Sequence, residues 1–238
     1  MRLHLLGING PFPAAEGATS GYLLEAGSLR LQLDLGSGVL SRLTGVFPPE
    51  ELDALLLSHW HFDHTCDLLP LIYRLEAAGR VLPVYAPADD SSALRRIAAG
   101  AACLDLHSVS AGDEIALGEV RIAFGPARHP VPGVGFRIAA EGRILGYTGD
   151  TNTLPGLREF YRGCDLLLAD GLFPADAWGE GKPHLSAALA AELARDAGAR
   201  RLVITHLNPN FSPALLLREA REIFPEATVA RAGDRISL

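Results

Sequence analysis

Three histidines and an aspartate fall within six positions in the run Ser58-His59-Trp60-His61-Phe62-Asp63-His64, at the close of the apolar stretch Ala54 to Ser58. Side chains alternate along an extended chain, so His59 and His61 present their imidazoles to the same side. Asp63 and His64 follow where the chain must turn, which aims them at a second point nearby. Three further residues of the same chemical types end apolar strands: His129 beyond Arg121–Phe124, Asp150 beyond Ile144–Tyr147, and His206 beyond Leu202–Thr205. Side chains at the ends of several strands converge on one edge of a sheet, which is how rigid sites are built. Imidazole and carboxylate donors without cysteine suit zinc, manganese or iron. The set exceeds what one tetrahedral zinc needs, so two divalent ions are expected. Two ions ~3.5–4 Å apart polarise an electrophile and supply hydroxide at neutral pH. Any one of these residues is explained as well by core packing or a solvated loop; the clustering is what points to metal.

The elements that must position these residues are legible from hydrophobic pattern and turn signals. Arg2 to Leu6 reads as a strand, followed by a Gly/Pro/Ala-rich loop from Gly7 to Ser20. Tyr22 to Ala26 and Leu29 to Asp34 form a hairpin around Gly27-Ser28. Asp67 to Ala78 has helical periodicity closed by Gly79, Val84 to Ala86 is a strand, and Asp89 to Gly100 a helix. In the second half, Glu119–Phe124, Gly135–Ala140 and Arg143–Tyr147 read as antiparallel strands, the last two turning at Glu141-Gly142. Asp165 to Ala169 is a buried strand. Ser186 caps a helix, Ala187 to Ala197, that ends at Gly198. Leu202–Thr205 is a strand, Pro213–Phe224 a helix and Thr228–Ala230 a last strand. Hairpins mixed with strand–helix units in both halves predict two mixed sheets face to face with helices outside. No linker or repeat divides residues 1–238, which read as a single domain.

Composition bounds the partners. The chain has 238 residues, 48% of them apolar, and a formal charge of −7. Long nucleic acid is usually gripped by a basic surface, and no basic run here exceeds a pair such as Arg95-Arg96; a small substrate fits better. No signal segment or membrane span is read, so a cytoplasmic location is expected. Cys66, Cys103 and Cys164 are odd in number and widely spaced, which argues against a disulfide framework.

The motif His59-x-His61-x-Asp63-His64, with His129, Gly149-Asp150-Thr151 and Thr205-His206-Leu207, resembles the metallo-β-lactamase superfamily over nearly the whole chain. Leu5-Leu6-Gly7, the strand Ser20-Gly21-Tyr22-Leu23-Leu24, and His184 before the helix leading to His206 resemble the branch that contains ribonuclease Z and small phosphodiesterases. The resemblance implies a four-layer αββα sandwich. It implies one metal held by His59, His61 and His129, another by Asp63, His64 and His206, and Asp150 bridging both, an arrangement unlike that of true β-lactamases. His184, in Lys182-Pro183-His184-Leu185-Ser186, matches a histidine thought to protonate the leaving oxygen; Ser186 stands where the family has threonine. A histidine beside a helix cap also accounts for His184 without chemistry. Ribonuclease Z enzymes carry a long arm for tRNA, in many between the residues matching His129 and Asp150. Those residues are 21 apart here, room for one hairpin, which argues against tRNA processing.

The expected activity is therefore hydrolysis of a small phosphodiester, such as a cyclic or short nucleotide, with Asp63 and His184 as the catalytic pair. Asp63 orients the attacking hydroxide and His184 protonates the departing oxygen. Three alternatives stand beside it: a metal-dependent acyl hydrolase (lactonase or thioesterase) on the same site, a tRNA 3′-processing endonuclease, and a non-catalytic metal-bound sensor. Besides the substrate, the one partner left open is a second copy of the chain, as a homodimer. The segment Gly171 to Pro183 is read either as a mobile surface loop or as a wall in which Phe173 and Trp178 line the site and Lys182 meets a phosphate. Trp60 and Phe62 are expected to pack below the site, and Cys66 to be a small buried hydrophobe.

Overall fold

The computed structural model describes residues 1–238 throughout. The chain opens with β1 (Arg2–Gly7), β2 (Gly21–Ala26) and β3 (Leu29–Leu33), paired antiparallel in sequence. Helix α1 (Val39–Thr44) follows, and then β4 (Ala54–Leu56), which lies parallel to β3. Helices α2 (Phe62–Thr65) and α3 (Leu68–Ala78) lead to β5 (Leu82–Pro87); helix α4 (Ala93–Gly100) leads to β6 (Leu104–Val109). The strands β3 to β6 run parallel, each crossover carrying helix on the outer face.

The second sheet begins antiparallel, with β7 (Glu114–Leu117), β8 (Val120–Pro126), β9 (Val134–Ala140) and β10 (Arg143–Tyr147). It continues parallel through helix α5 (Leu157–Phe160), β11 (Leu166–Asp170), α6 (Ala187–Asp196), β12 (Leu202–Thr205), α7 (Pro213–Ile223) and β13 (Thr228–Val229). The last strand, β14 (Arg235–Ser237), returns to the first sheet and pairs with β1. The strand orders are 14-1-2-3-4-5-6 and 13-12-11-10-9-8-7, seven strands each.

Alternation along the strands builds three apolar layers. Leu31 and Leu33 of β3 meet Phe136, Tyr147 and Leu168 between the sheets. Leu55, Leu57 and Val84 instead face Leu43, Leu71 and Leu75 of the first helical layer. Leu167, Ala169 and Ile204 face Ala187, Ala190, Ala191 and Ala194 of α6, whose small side chains let that helix sit close to the sheet. Strands buried on both faces read as continuous apolar runs, which is why β4, β11 and β12 were plain in the sequence. The result is the expected αββα sandwich.

Several boundaries differ from expectation. Strands β6, β7 and β14 were not anticipated. Each lies at or near a sheet edge and is partly exposed, at Asp105, Glu114 and Arg235 among others, so no unbroken apolar run marks it. Helix α4 starts at Ala93 rather than Asp89, because the Ser92 side chain accepts from the Arg95 amide and so caps it there. Asp89 instead turns the chain, accepting from the amide and hydroxyl of Ser91.

Candidate metal centre and active site

Every candidate residue lies beyond the carboxyl end of a strand, the edge at which open α/β sheets form their sites. The segment after β4 carries His59, and the single turn of α2 carries Asp63 and His64. His129 follows β8, Asp150 follows β10 and His206 follows β12. The structure brings His59, His61, His129 and Asp150 into one group, and Asp63, His64, His206 and Asp150 into another, their ligand atoms within 4.8 Å of one another in each group. Asp150 Oδ2 lies 3.6 Å from His59 Nε2 and 3.3 Å from both His64 Nε2 and His206 Nε2. Asp63 Oδ2 is 3.7 Å from His64 Nε2 and from His206 Nε2. His129 Nε2 and His61 Nδ1 approach to 3.0 Å.

Whether these residues suit a metal is answered by atoms left over. His59 Nε2, His64 Nε2, His206 Nε2 and Asp150 Oδ1 are sealed from solvent and have no hydrogen-bond partner within the chain. Burying such groups unpaired is costly, and here all four belong to residues of the same two clusters. A divalent cation satisfies several at once, and the imidazole and carboxylate donors are those zinc takes. The residues fit the metal.

The opposite nitrogen of four of the five rings is held from behind. With Nε2 turned inward, Nδ1–H donates from His59 to Ser58 Oγ at 3.1 Å and from His64 to Asp34 Oδ2 at 2.8 Å. It donates from His206 to Ser20 Oγ at 3.0 Å and from His129 to the Pro183 carbonyl at 3.1 Å. Such partners fix ring orientation and tautomer. Asp34 also accepts from the Ser58 amide (2.7 Å), the Ser58 hydroxyl (2.8 Å) and the Tyr147 hydroxyl (2.6 Å). Asp34 and His206 both adopt positive φ, 51° and 57°, conformations that persist only where surroundings enforce them. Around His206 the enforcement includes Gly10, where a Cβ would fall 2.0 Å from the imidazole, so only glycine lets that loop close over the ring.

Electrostatics separates the groups. Burial pushes the pKa of His59 and of His206 well below the usual imidazole range, which keeps both neutral as metal ligation requires. Burial likewise lowers His61, and takes His129 to about 4. At His64 burial is outweighed by Asp150, Asp34 and Asp63, and the pKa rises. Burial pushes Asp63 up to about 6. Asp150 is held well below the carboxylate range, burial being overcome by His206, His64, His184 and His59.

His184 stands at the margin of both groups, its ring stacked on His206 with centroids 5.0 Å apart. Its Nδ1–H donates to Asp170 Oδ2 at 2.9 Å. Nε2 makes no hydrogen bond within the chain, and the side chain is largely buried. Asp170 is fully buried at the end of β11 and also accepts from the amides of Thr151 and Leu172. Asp170 and Asp150 overcome burial to raise His184 to about 9, and burial raises Asp170 to about 6.

Asp34, Asp170, Ser20 and Tyr147 were not singled out from sequence. The signal available for both aspartates was the one that marked Asp150, a carboxylate ending an apolar strand. Trp60 does pack below the site, its indole N–H bonded to the Pro87 carbonyl at 2.7 Å. Phe62 does not: it is 66% exposed, because the inner face of α2 is taken by His64 and Thr65. Cys66 is half-buried rather than buried, at the outer end of that turn. The segment 171–183 is pinned. The Asn152 side-chain amide donates to the Lys182 carbonyl at 2.5 Å, and Arg128 donates to the Glu180 carbonyl at 2.7 Å. Trp178 serves the backbone, its N–H bonded to the His184 carbonyl at 3.0 Å; the aromatic neighbours of Phe173 are His184 and Phe211.

Residues 37–207 match the Beta-lactamase superfamily domain, and the chain belongs to that superfamily. It is a hydrolase of the metallo-β-lactamase fold. The probable metallo-hydrolase YhfI of Bacillus subtilis is 33% identical over 98% of both chains. The YhfI crystal structure superposes with a TM-score of 0.92 at 31% identity, covering 99% of this chain and 98% of that one. A ribonuclease Z of Methanopyrus kandleri is 30% identical, covering 97% of this chain and 95% of its own. The short form of human tRNase Z shares the fold, with a TM-score of 0.81 at 19% identity, covering 100% of this chain and 99% of that one. No helix is long and apolar enough to cross a membrane.

Proposed function

We propose that this chain is a dinuclear metal-dependent phosphodiesterase acting on a small phosphodiester, a cyclic or short nucleotide, with zinc as the expected metal and manganese or iron as alternatives. His59, His61 and His129 would hold one ion, Asp63, His64 and His206 the other, and Asp150 both. When bound, such ions supply Lewis acidity toward the phosphoryl oxygens and acidify a water.

The observation that carries the reading is the His184–Asp170 pair. Breaking a phosphodiester releases an alkoxide, which needs a proton as the bond breaks. His184 is placed to give one: Asp170 fixes its tautomer, Nε2 makes no hydrogen bond within the chain, and Asp170 and Asp150 together outweigh burial and favour the protonated ring. A thiolate leaves without a proton, and an ester or lactone expels its alkoxide in a separate step after addition to carbon, so the demand for an acid already in place is greatest for the phosphodiester. Asp63, beside His64 and His206 and raised to about 6, is suited to orient the attacking water and take up its proton. The kinship with a ribonuclease Z is consistent with phosphodiester chemistry. That alignment runs over 268 positions against 238 residues here, so the relative has segments this chain lacks, and a substrate smaller than tRNA suits the acidic surface.

The test is a panel of phosphodiesters, lactones and thioesters with zinc- or manganese-reconstituted protein, run beside His184→Ala. Phosphodiesters should be the class turned over. The variant should slow an alkyl or nucleoside diester by ~10²-fold or more, yet slow bis-nitrophenyl phosphate far less, since nitrophenolate leaves without a proton. Turnover confined to lactones or thioesters would overturn the reading.

A further inference from the structure

Beside His184 lies a group of side chains that the hydrolytic scheme does not use. The Phe173 ring is 6.1 Å from the His184 ring and 6.2 Å from that of Phe211, each contact edge-on. Lys182 Nζ stands 5.3 Å over the Phe173 ring. Both phenylalanines are half-buried, so each keeps surface toward solvent, and Lys182 is exposed. The ammonium has no carboxylate within ion-pairing distance, although acidic residues outnumber basic ones 28 to 21 in the chain.

The scaffold behind this group is rigid. Phe173 is bridged to Ser186, with its carbonyl accepting from the Ala187 amide at 3.0 Å, so it is tied to the start of α6. Lys182 is fixed through its carbonyl by Asn152. Phe211 closes a tight turn onto the Asn208 carbonyl just beyond His206. Two aromatic surfaces and one unpaired cation, held on pinned backbone, are what a flat ring bearing a negative charge requires.

We infer that Phe173, Phe211 and Lys182 form the leaving-group subsite, and that the departing alcohol is nucleotide-like: a flat heteroaromatic ring with a phosphate of its own. This rests on the proposed phosphodiesterase reading, because His184 marks the leaving side only if it is the acid. In the reaction a water oxygen bonds to phosphorus and the bond from phosphorus to the departing oxygen breaks. The His184 proton goes to that oxygen, and a proton from the water replaces it. The products are a phosphomonoester and the nucleotide alcohol held against Phe173. A short linear dinucleotide with a 5′-phosphate meets the description; a cyclic mononucleotide, whose leaving oxygen carries no second phosphate, meets it less well.

The test compares kcat/KM for the diadenylate pApA, for ApA and for bis-nitrophenyl phosphate with the metal-reconstituted protein. The native enzyme should prefer pApA to ApA by roughly fivefold or more, the scale of one exposed ion pair. Lys182→Ala should bring the ratio close to one, Lys182→Arg should restore it, and Lys182→Glu should invert it. Phe211→Ala sits on a surface turn and should raise KM for both dinucleotides by roughly tenfold with a smaller change in kcat, the scale of losing one stacking surface. Equal use of pApA and ApA, or a preference indifferent to Lys182, overturns the inference while leaving phosphodiesterase activity standing. Hydrolysis of bis-nitrophenyl phosphate without either dinucleotide does the same. Failure on all three substrates would instead fall on the proposed function.

Discussion

The two clusters that share Asp150 are built to different standards. His64 and His206 are fully buried, and each ring is backed by a buried side chain, Asp34 or Ser20. Two carboxylates enter that group, and Asp34 adds a third just behind it. In the other cluster only His59 is sealed, while His61 and His129 are half-buried. His129 is oriented by a main-chain carbonyl, Pro183, and His61 has only the facing His129 nitrogen within hydrogen-bond reach. Preorganised, negatively charged ligands bind a cation more tightly than mobile neutral ones. The Asp63–His64–His206 cluster should hold its ion firmly, and the His59–His61–His129 cluster should release its ion first. In the proposed phosphodiesterase that division would give one firmly held centre and one more adjustable.

The largest effect should come from the one residue both clusters share. Asp150→Ala removes the carboxylate nearest His59, His64 and His206 together, so both ions should be lost. Activity should fall by ~10³-fold or more, beyond the 10–100-fold typical of an outer partner. Elemental analysis against the native protein, expected near two ions per chain, is the check. A variant that still holds one ion at native affinity would assign Asp150 to a single cluster and break the comparison.

Next in size is the contrast itself. Metal removal by a chelator should be biphasic, and the slow phase should belong to the cluster backed by Asp34. Asp34→Asn keeps the volume but weakens the acceptor that serves His64, Ser58 and Tyr147. It should lower the affinity of the tightly held ion by ~10–100-fold and merge the two phases. Unchanged biphasic release in that variant would mean that burial, rather than the carboxylate behind His64, sets the difference.

The sequence exposed the inner residues of this site far better than the outer ones. His59, His61, Asp63 and His64 stand out because four residues of ligand chemistry in six positions have no packing rationale. Asp34 and Asp170 end apolar strands as Asp150 does, but a strand-ending aspartate is also an ordinary turn residue. What separates them is which strand lies beside which: Asp34 meets Tyr147 across the sandwich, a contact of high sequence separation that no local pattern contains. The same limit applies to the fold. Parallel strands buried on both faces were read nearly to the residue, whereas β14 depends on pairing with β1 at the far end of the chain. Phe211 was missed as a partner of Phe173 for the same reason.

The finest distinction is between two serines of similar burial. Ser20 makes one contact at the site, accepting from His206 Nδ1 at 3.0 Å. Ser58 makes three, with Asp34 Oδ2 at 2.8 Å, His59 Nδ1 at 3.1 Å and, more distantly, His64 Nδ1 at 3.4 Å. If the clusters are served by separate outer partners, Ser20→Ala should quicken only the slow phase of metal release, by about tenfold, the low end for an outer partner. Ser58→Ala should quicken both phases, since it frees the His59 ring directly and loosens the carboxylate behind His64. Neither change opens more than a hydroxyl's volume, so thermal unfolding of the metal-free protein should move little. Only the release kinetics should separate the two variants. Identical behaviour of the two would mean that the clusters exchange metal as one unit, through Asp150, and that their outer partners do not act independently.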